Sequence, residues 1–174
     1  KAGLARRKSV AVLAVDFVKA FDKVERGLLS RKLMERYNLH PMYIRYIDQF
    51  MSDRKFRIGA RGRWGKEVSD WYNVETGVVQ GSRLGPYSWL LWLNDLLLEL
   101  ADEVGAEVNS DQGVTAFADD TTVILSADSD QELEHKLQRA LLILQKWSVR
   151  NKQPVYTKIG KTNILLLRSQ HTLT

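Results

Sequence analysis

The chain has 174 residues, 44% of them hydrophobic, which suffices for one substantial core and is most simply read as a single domain over 1–174. Its formal charge of +5 favours contact with polyanions, while the lack of cysteine excludes a disulfide framework and a thiolate metal site and so argues against zinc chemistry. The most apolar run, Trp89 to Leu98, is too short and too polar at Asn94 and Asp95 to span a bilayer, and no membrane partner is expected.

In chain order, residues 1–8 form a basic lead-in with Lys1, Arg6, Arg7 and Lys8. Ser9 to Val15 is rich in β-branched residues and predicts a buried strand, closed by Asp16. Leu28, Leu29, Leu33 and Met34 recur at helical spacing, as do Ile44, Ile47, Phe50 and Met51 after Pro41, and they predict two short packing helices. The stretch from Arg54 to Lys66 carries six cations (Arg54, Lys55, Arg57, Arg61, Arg63 and Lys66) and no acid, with Phe56 and Trp64 interleaved. It predicts a basic hairpin over 54–75 that tracks phosphates, a solvated loop being the plainer alternative.

Beyond Pro86 a helix is expected to run to about Glu103, with Leu90, Leu91, Leu97 and Leu98 toward a sheet and with Asn94 and Asp95 in need of water or partners. Val114 to Phe117 and Thr121 to Leu125 flank Asp119 and Asp120, the pattern of a hairpin with two carboxylates at its tip. Ser129 to Trp147 is the cleanest amphipathic helix, with Leu133, Leu137, Ala140, Leu141 and Leu144 on one stripe, and Ile164 to Leu167 reads as a closing strand. These elements make an α+β fold, an antiparallel sheet with helices packed on one face and acidic tips on an open edge.

If the strand ending in Asp16 lies beside the Asp119–Asp120 hairpin, three carboxylates converge. Each pair about 4 Å apart then repels by roughly 4 kcal/mol at an effective dielectric near 20. Such a cluster calls for cations. Hard divalent ions take carboxylate oxygens and keep positions open for phosphates, so the expected cofactor is Mg²⁺, two ions in a phosphoryl-transfer site, with Mn²⁺ as a substitute. The bland alternatives are a solvated acidic turn and an Asp16 that merely starts a loop.

Asp16-Phe17-Val18-Lys19-Ala20-Phe21-Asp22 is followed by Gly77-Val78-Val79-Gln80-Gly81-Ser82-Arg83-Leu84-Gly85-Pro86 and then by Phe117-Ala118-Asp119-Asp120. This order resembles reverse transcriptases, and more narrowly the non-LTR (LINE-like) retrotransposon branch. Trp147, Asn151 and Lys161-Thr162 look like later landmarks of that branch, and the resemblance spans residues 9 to 168. The chain departs from the family pattern at Val79 and Arg83, where Pro is common. The resemblance implies a polymerase palm with partial fingers and no thumb, the missing fingers and thumb belonging to a parent polypeptide.

It also implies RNA-directed DNA polymerase activity on an RNA template and DNA primer with dNTP as substrate. The alternative is a non-catalytic nucleic-acid-binding remnant. Asp16 and Asp119 would bind both ions with Asp120 in support, and the carbonyl of Phe17 would join them. Phe21 would stand beneath the incoming sugar and exclude ribonucleotides, and Gln80 and Gly81 would touch the nucleotide. Lys161, with Lys158 as its rival, would serve the leaving pyrophosphate. Intracellular localisation is expected, nuclear if the element is eukaryotic.

Overall fold

A computed structural model of the chain describes residues 8–62, 65–105, 113–158 and 160–167. The chain divides into two compact units, one made of residues 1–20 and 93–174, the other of residues 21–92.

The first unit is built on a four-stranded antiparallel sheet ordered β6-β7-β1-β8. Its strands are β1 (Ser9–Val15), β6 (Val114–Phe117), β7 (Asp120–Ala127) and β8 (Asn163–Leu167). The period of two sorts most of β1, because Ala11, Leu13 and Val15 are buried while Val12 and Ala14 look out on the other face, where Val10 alone is also buried. In β7 the buried set is Thr121, Val123, Leu125 and Ala127. Helix α4 (Asp130–Arg150) covers the buried face with Leu133, Ala140, Leu144 and Trp147, and its Ser129 cap accepts from the Glu132 N–H. β8 is the sheet's outer strand, with Ile164, Leu165 and Leu166 exposed.

The second unit packs α1 (Arg26–Glu35) against α2 (Pro41–Met51). Leu29, Leu33, Ile47 and Met51 form the seam, whereas Met34 and Phe50, also expected to pack, are exposed because they fall off the stripe that faces the partner helix. A β-ribbon follows, with β2 (Arg54–Phe56) paired to β5 (Tyr72–Val74) and β3 (Gly59–Gly62) paired to β4 (Gly65–Val68). The register slips by one residue between the two ladders, as a bulge requires. Helix α3 (Leu84–Val104) contains the boundary between the units, after Trp92.

Leu90 and Leu98 of α3 are 48% and 46% exposed, against the expectation that they face the sheet. The buried stripe is Trp89, Trp92, Leu93, Leu96, Leu97 and Leu100, since the indoles are larger than leucine and take the inward positions. No described helix is long and apolar enough to cross a membrane.

Candidate active site

Asp16 directly follows β1, and the chain beyond α4 holds its backbone on one flank. Val18 N–H donates to the Pro154 carbonyl at 2.8 Å, and Tyr156 N–H donates to the Asp16 carbonyl at 2.9 Å, on either side of the Phe17–Val155 bridge. In that pattern the N–H and C=O of Phe17 itself face the opposite flank. The Phe17 ring is buried edge-on against Trp147 at 5.7 Å, which fixes the strand end to α4.

The ladders then set the acids in register. The last pairs of the two ladders are Val15 with Thr121 and Ala14 with Asn163, so Asp16 and Asp120 stand at neighbouring strand ends, while Lys161 lies in the turn just before β8. Asp16 and Asp120 thus begin an acidic row at one end of the sheet, which the Lys161 side chain reaches from the neighbouring turn. Asp16 lies between the buried residues Val15 and Phe17, and Asp120 precedes the buried Thr121, so both carboxylates belong to the face that the helices leave open.

Asp119 occupies the turn. Phe117 pairs with Asp120, leaving Ala118 and Asp119 as a two-residue loop, and Ala118 has φ of 54°. Positive φ at the first central position is the signature of a II′ hairpin turn, where glycine is usual. An alanine held there stores about 1 to 3 kcal/mol of strain, of the kind that clusters at functional sites.

Lys161 Nζ stands 3.1 Å from Asp16 Oδ2. Its pKa is raised above the ordinary lysine value, first by the hydrogen bond to Asp16 and then by the charge of that carboxylate. The neighbouring Thr162 hydroxyl accepts from the Asp16 N–H at 3.3 Å. The Lys161-Thr162 landmark therefore serves Asp16 from both members. Between the rival lysines, Lys161 is the one whose ammonium reaches this row, and the Lys158 side chain is exposed.

Among the described residues, no group of three His, Cys, Asp or Glu side chains is gathered tightly enough to hold a metal ion. The row brings Asp16 and Asp120 side by side with Asp119 one residue beyond, while a lysine ammonium sits on Asp16. The donors fit a hard divalent cation nonetheless, because they are all carboxylate oxygens on an open face and one of them already draws a cation.

Behind the row lies a polar contact that sequence reasoning did not find. Asp95, 3% exposed in mid-helix, accepts from the Trp147 indole N–H at 2.7 Å, and Asn151 caps the end of α4 by donating to the Trp147 carbonyl at 2.9 Å. The available signal was an aspartate at an inward position of α3 and a tryptophan at an inward position of α4. Each needed a partner when buried.

In the second unit the expected nucleotide-contacting residues are tied together. The Phe21 ring meets the buried Trp89 ring at 5.4 Å, and Val78 N–H donates to the Phe21 carbonyl at 2.9 Å. Gly77 N–H donates to the Val24 carbonyl at 2.8 Å, and a Cβ at Gly77 would lie 2.8 Å from the Asp22 backbone, a close approach that only glycine permits. Gln80 Nε2 donates to Asp22 Oδ1 at 2.8 Å, which anchors the amide. Gly81 follows with φ of 79°.

The ribbon's cations divide by task. Arg54 donates to the carbonyls of Met51, Thr76 and Gly77, and burial, followed by the nearby charge of Arg26, lowers its pKa. That arginine fastens the ribbon to the 76–77 turn. Arg57 lies over the Trp71 ring at 4.7 Å, with Phe56 and Tyr72 stacked at 5.4 Å on the adjacent rung. Lys55 and Arg61 are exposed. Arg63 and the side chain of Lys66 lie outside the described residues, as do residues 1–7 of the basic lead-in.

A family model described as reverse transcriptase (RNA-dependent DNA polymerase) matches residues 3–169. The chain belongs to the reverse transcriptase family. It is 32% identical over 161 residues to a retrovirus-related Pol polyprotein from type-1 retrotransposable element R1 of Bradysia coprophila, a match that covers 92% of the chain and 14% of that protein. It is 30% identical over 137 residues to the RNA-directed DNA polymerase from mobile element jockey of Drosophila funebris, covering 78% of the chain and 14% of the relative. These relatives identify this reverse transcriptase as one of non-LTR retrotransposon type, spanning a small part of their length.

A solved telomerase from Candida albicans in complex with a fragment of telomeric RNA is similar over 87% of this chain and 27% of that one. At 13% identity and a TM-score of 0.38 that likeness is too loose to carry an argument. Reverse transcriptases as a family generally use divalent metal ions, and the described residues of this chain form a mixed helix and antiparallel-sheet fold.

Proposed function

We propose that this domain carries the nucleotidyl-transfer centre of an RNA-directed DNA polymerase, with the four-stranded sheet as its palm and the α1–α2 pair and ribbon as finger elements. The observation that carries the proposal is the pair of acids at neighbouring strand ends, Asp16 and Asp120, on the open sheet face, with Asp119 in the adjoining turn and the Lys161 ammonium on Asp16. In the reaction a primer 3′-hydroxyl attacks the α-phosphate of a dNTP, and pyrophosphate leaves. Asp16 and Asp119, with Asp120 beside them, would hold two Mg²⁺ ions, which when bound would supply charge stabilisation to the transfer.

The residues of the chain have separate parts in that chemistry. Asp16 is held through both its backbone N–H and its carbonyl, so its carboxylate is presented from a fixed main chain. Lys161, kept protonated by Asp16, carries a proton and a positive charge to the pyrophosphate side. Phe21, backed by Trp89, provides a fixed wall against a 2′-hydroxyl, and Gln80, held by Asp22, presents its amide oxygen to the nucleotide or template base. Lys55, Arg57 and Arg61 neutralise backbone phosphates, with Arg63 and Lys66 continuing the same charged stretch.

One observation favours the second reading, grip without chemistry: no three acids are gathered as a ligand group among the described residues. Mg²⁺-dependent primer extension on an RNA template separates the two, measured on the polypeptide that carries this domain with its neighbouring segments. Asp119→Asn is expected to lower extension by at least about a thousandfold while leaving RNA binding intact. Equal extension by the variant would leave only the grip.

A further inference from the structure

Residues 21–92 contain thirteen basic and eight acidic residues, so they hold the whole +5 excess of the chain. The ribbon accounts for part of that charge. A separate feature of the same unit has no role in the chemistry described above. Tyr46 and Phe50 stand one helical turn apart on α2, Tyr87 lies in the first turn of α3, and with Ser82, Arg83 and Leu84 they line a groove of about 460 Å³. Tyr46 and Tyr87 are 66% and 65% exposed, and Phe50 is 38% exposed.

Rings left this bare are not there to fill a core. Aromatic side chains dominate burial energetics when they can be covered, and in this unit the two tryptophans of α3, Trp89 and Trp92, are covered completely. The lining has three aromatic rings, one guanidinium and no acid. A groove for an apolar protein segment would be served as well by aliphatic walls, such as those exposed on β8. Flat amphipathic rings beside an arginine, in the unit that holds all the excess positive charge, complement a ligand with π-faces and negative charge.

We infer that this groove seats unpaired bases of single-stranded RNA, which stack on Tyr46 and Tyr87 with Arg83 at the adjoining phosphate. The groove's volume lies within the roughly 300 to 1,000 Å³ usual for small-ligand sites, enough for a nucleotide unit. Its Ser82–Leu84 wall continues without a break from Gln80 and Gly81, the loop assigned above to the nucleotide and template base. Ser82 shapes that wall: its hydroxyl donates to the Val79 carbonyl and accepts from the Gly85 N–H, closing a turn that leaves Arg83 outward. The choice of RNA rests on the proposed RNA-templated reaction, but stacking needs neither the acids nor a nucleotide.

The test is fluorescence anisotropy with a short labelled oligouridylate and, separately, a blunt RNA duplex, across a salt series without divalent ions or dNTP. Base–aromatic stacking is worth about 1 to 3 kcal/mol per base. Tyr46→Ala and Tyr87→Ala are therefore each expected to weaken oligouridylate binding by about 5- to 150-fold. The salt slope should stay unchanged, because no phosphate contact is removed, and duplex affinity should stay unchanged too. Tyr46→Phe and Tyr87→Phe keep the ring and should bind as the parent does, and circular dichroism melts should show all four variants folded.

The inference is overturned if folded alanine variants bind oligouridylate as tightly as the parent, or if they lose single-stranded and duplex RNA alike. It is equally overturned if the parent binds no oligouridylate, or if the alanine variants change only the oligomeric state, which would make the groove a contact between copies of the chain. Failure of the polymerase reading is distinguishable, since it appears as absent extension with stacking intact.

Discussion

The sheet unit and the helix–ribbon unit solve opposite problems. Residues 1–20 and 93–174 carry thirteen basic and thirteen acidic residues, whereas residues 21–92 carry thirteen and eight. In the balanced unit, three of the acids meet at one strand end and one turn, and the backbone there is tied down by hydrogen bonds. In the basic unit, cations and aromatic rings are spread over exposed surfaces. Precision of a few atoms serves bond making. Distributed charge and ring area serve a long polyanion whose sequence varies.

The largest expected effect tests the sheet unit. Trp147→Ala removes a fully buried indole and its hydrogen bond to the Asp95 carboxylate, so it should destabilise the protein by about 3 to 5 kcal/mol, read as a lower denaturant midpoint. A shift within about 0.5 kcal/mol would mean that α4 is not the support of the acidic row. Next in size, Phe21→Val in the basic unit should raise ribonucleotide incorporation relative to dNTP by about tenfold or more, corresponding to about 1.4 kcal/mol, with the acids untouched. Unchanged sugar discrimination would remove Phe21 from that role.

A smaller change comes from the ribbon. Arg61→Gln should weaken RNA binding almost uniformly across sequences and reduce the salt slope by about 1, with no change in the extension rate of bound primer. An altered rate at saturating RNA would mix grip with chemistry and blur the contrast between the units. The smallest effect is that of the Lys161–Asp16 pair. A lysine with a raised folded-state pKa contributes stability below its ordinary value of 10.5 and loses it as pH rises through the raised value. The melting difference between the parent and Lys161→Met should therefore be present at neutral pH and close in strongly alkaline buffer; a difference that persists there would assign it to packing of the lysine stem.

Much of this was legible beforehand because the signals were periodic or local. The alternation of Ser9 to Val15, the stripe of α4 and the paired acids between two apolar runs each state their own geometry. The order of the three motifs carried the family. What stayed hidden depended on tertiary partners. No spacing rule says that Leu90 and Leu98 yield the inward face of α3 to tryptophans, that Asp95 meets Trp147 across two helices, or that Asp22 takes the amide of Gln80. Arg54 was hidden for a related reason. Charge in a basic run looks uniform in sequence, and only the fold shows that one of its arginines serves backbone carbonyls.

Manganese titration of the folded protein, followed by electron spin resonance of the free ion, bears most directly on the acids as a shared divalent-ion cradle. Saturable binding is expected in the parent, strongly weakened by Asp16→Asn and by Asp119→Asn, and tightened by Lys161→Met because the competing ammonium is gone. Binding that is absent in the parent, or that is indifferent to all three substitutions, would contradict it.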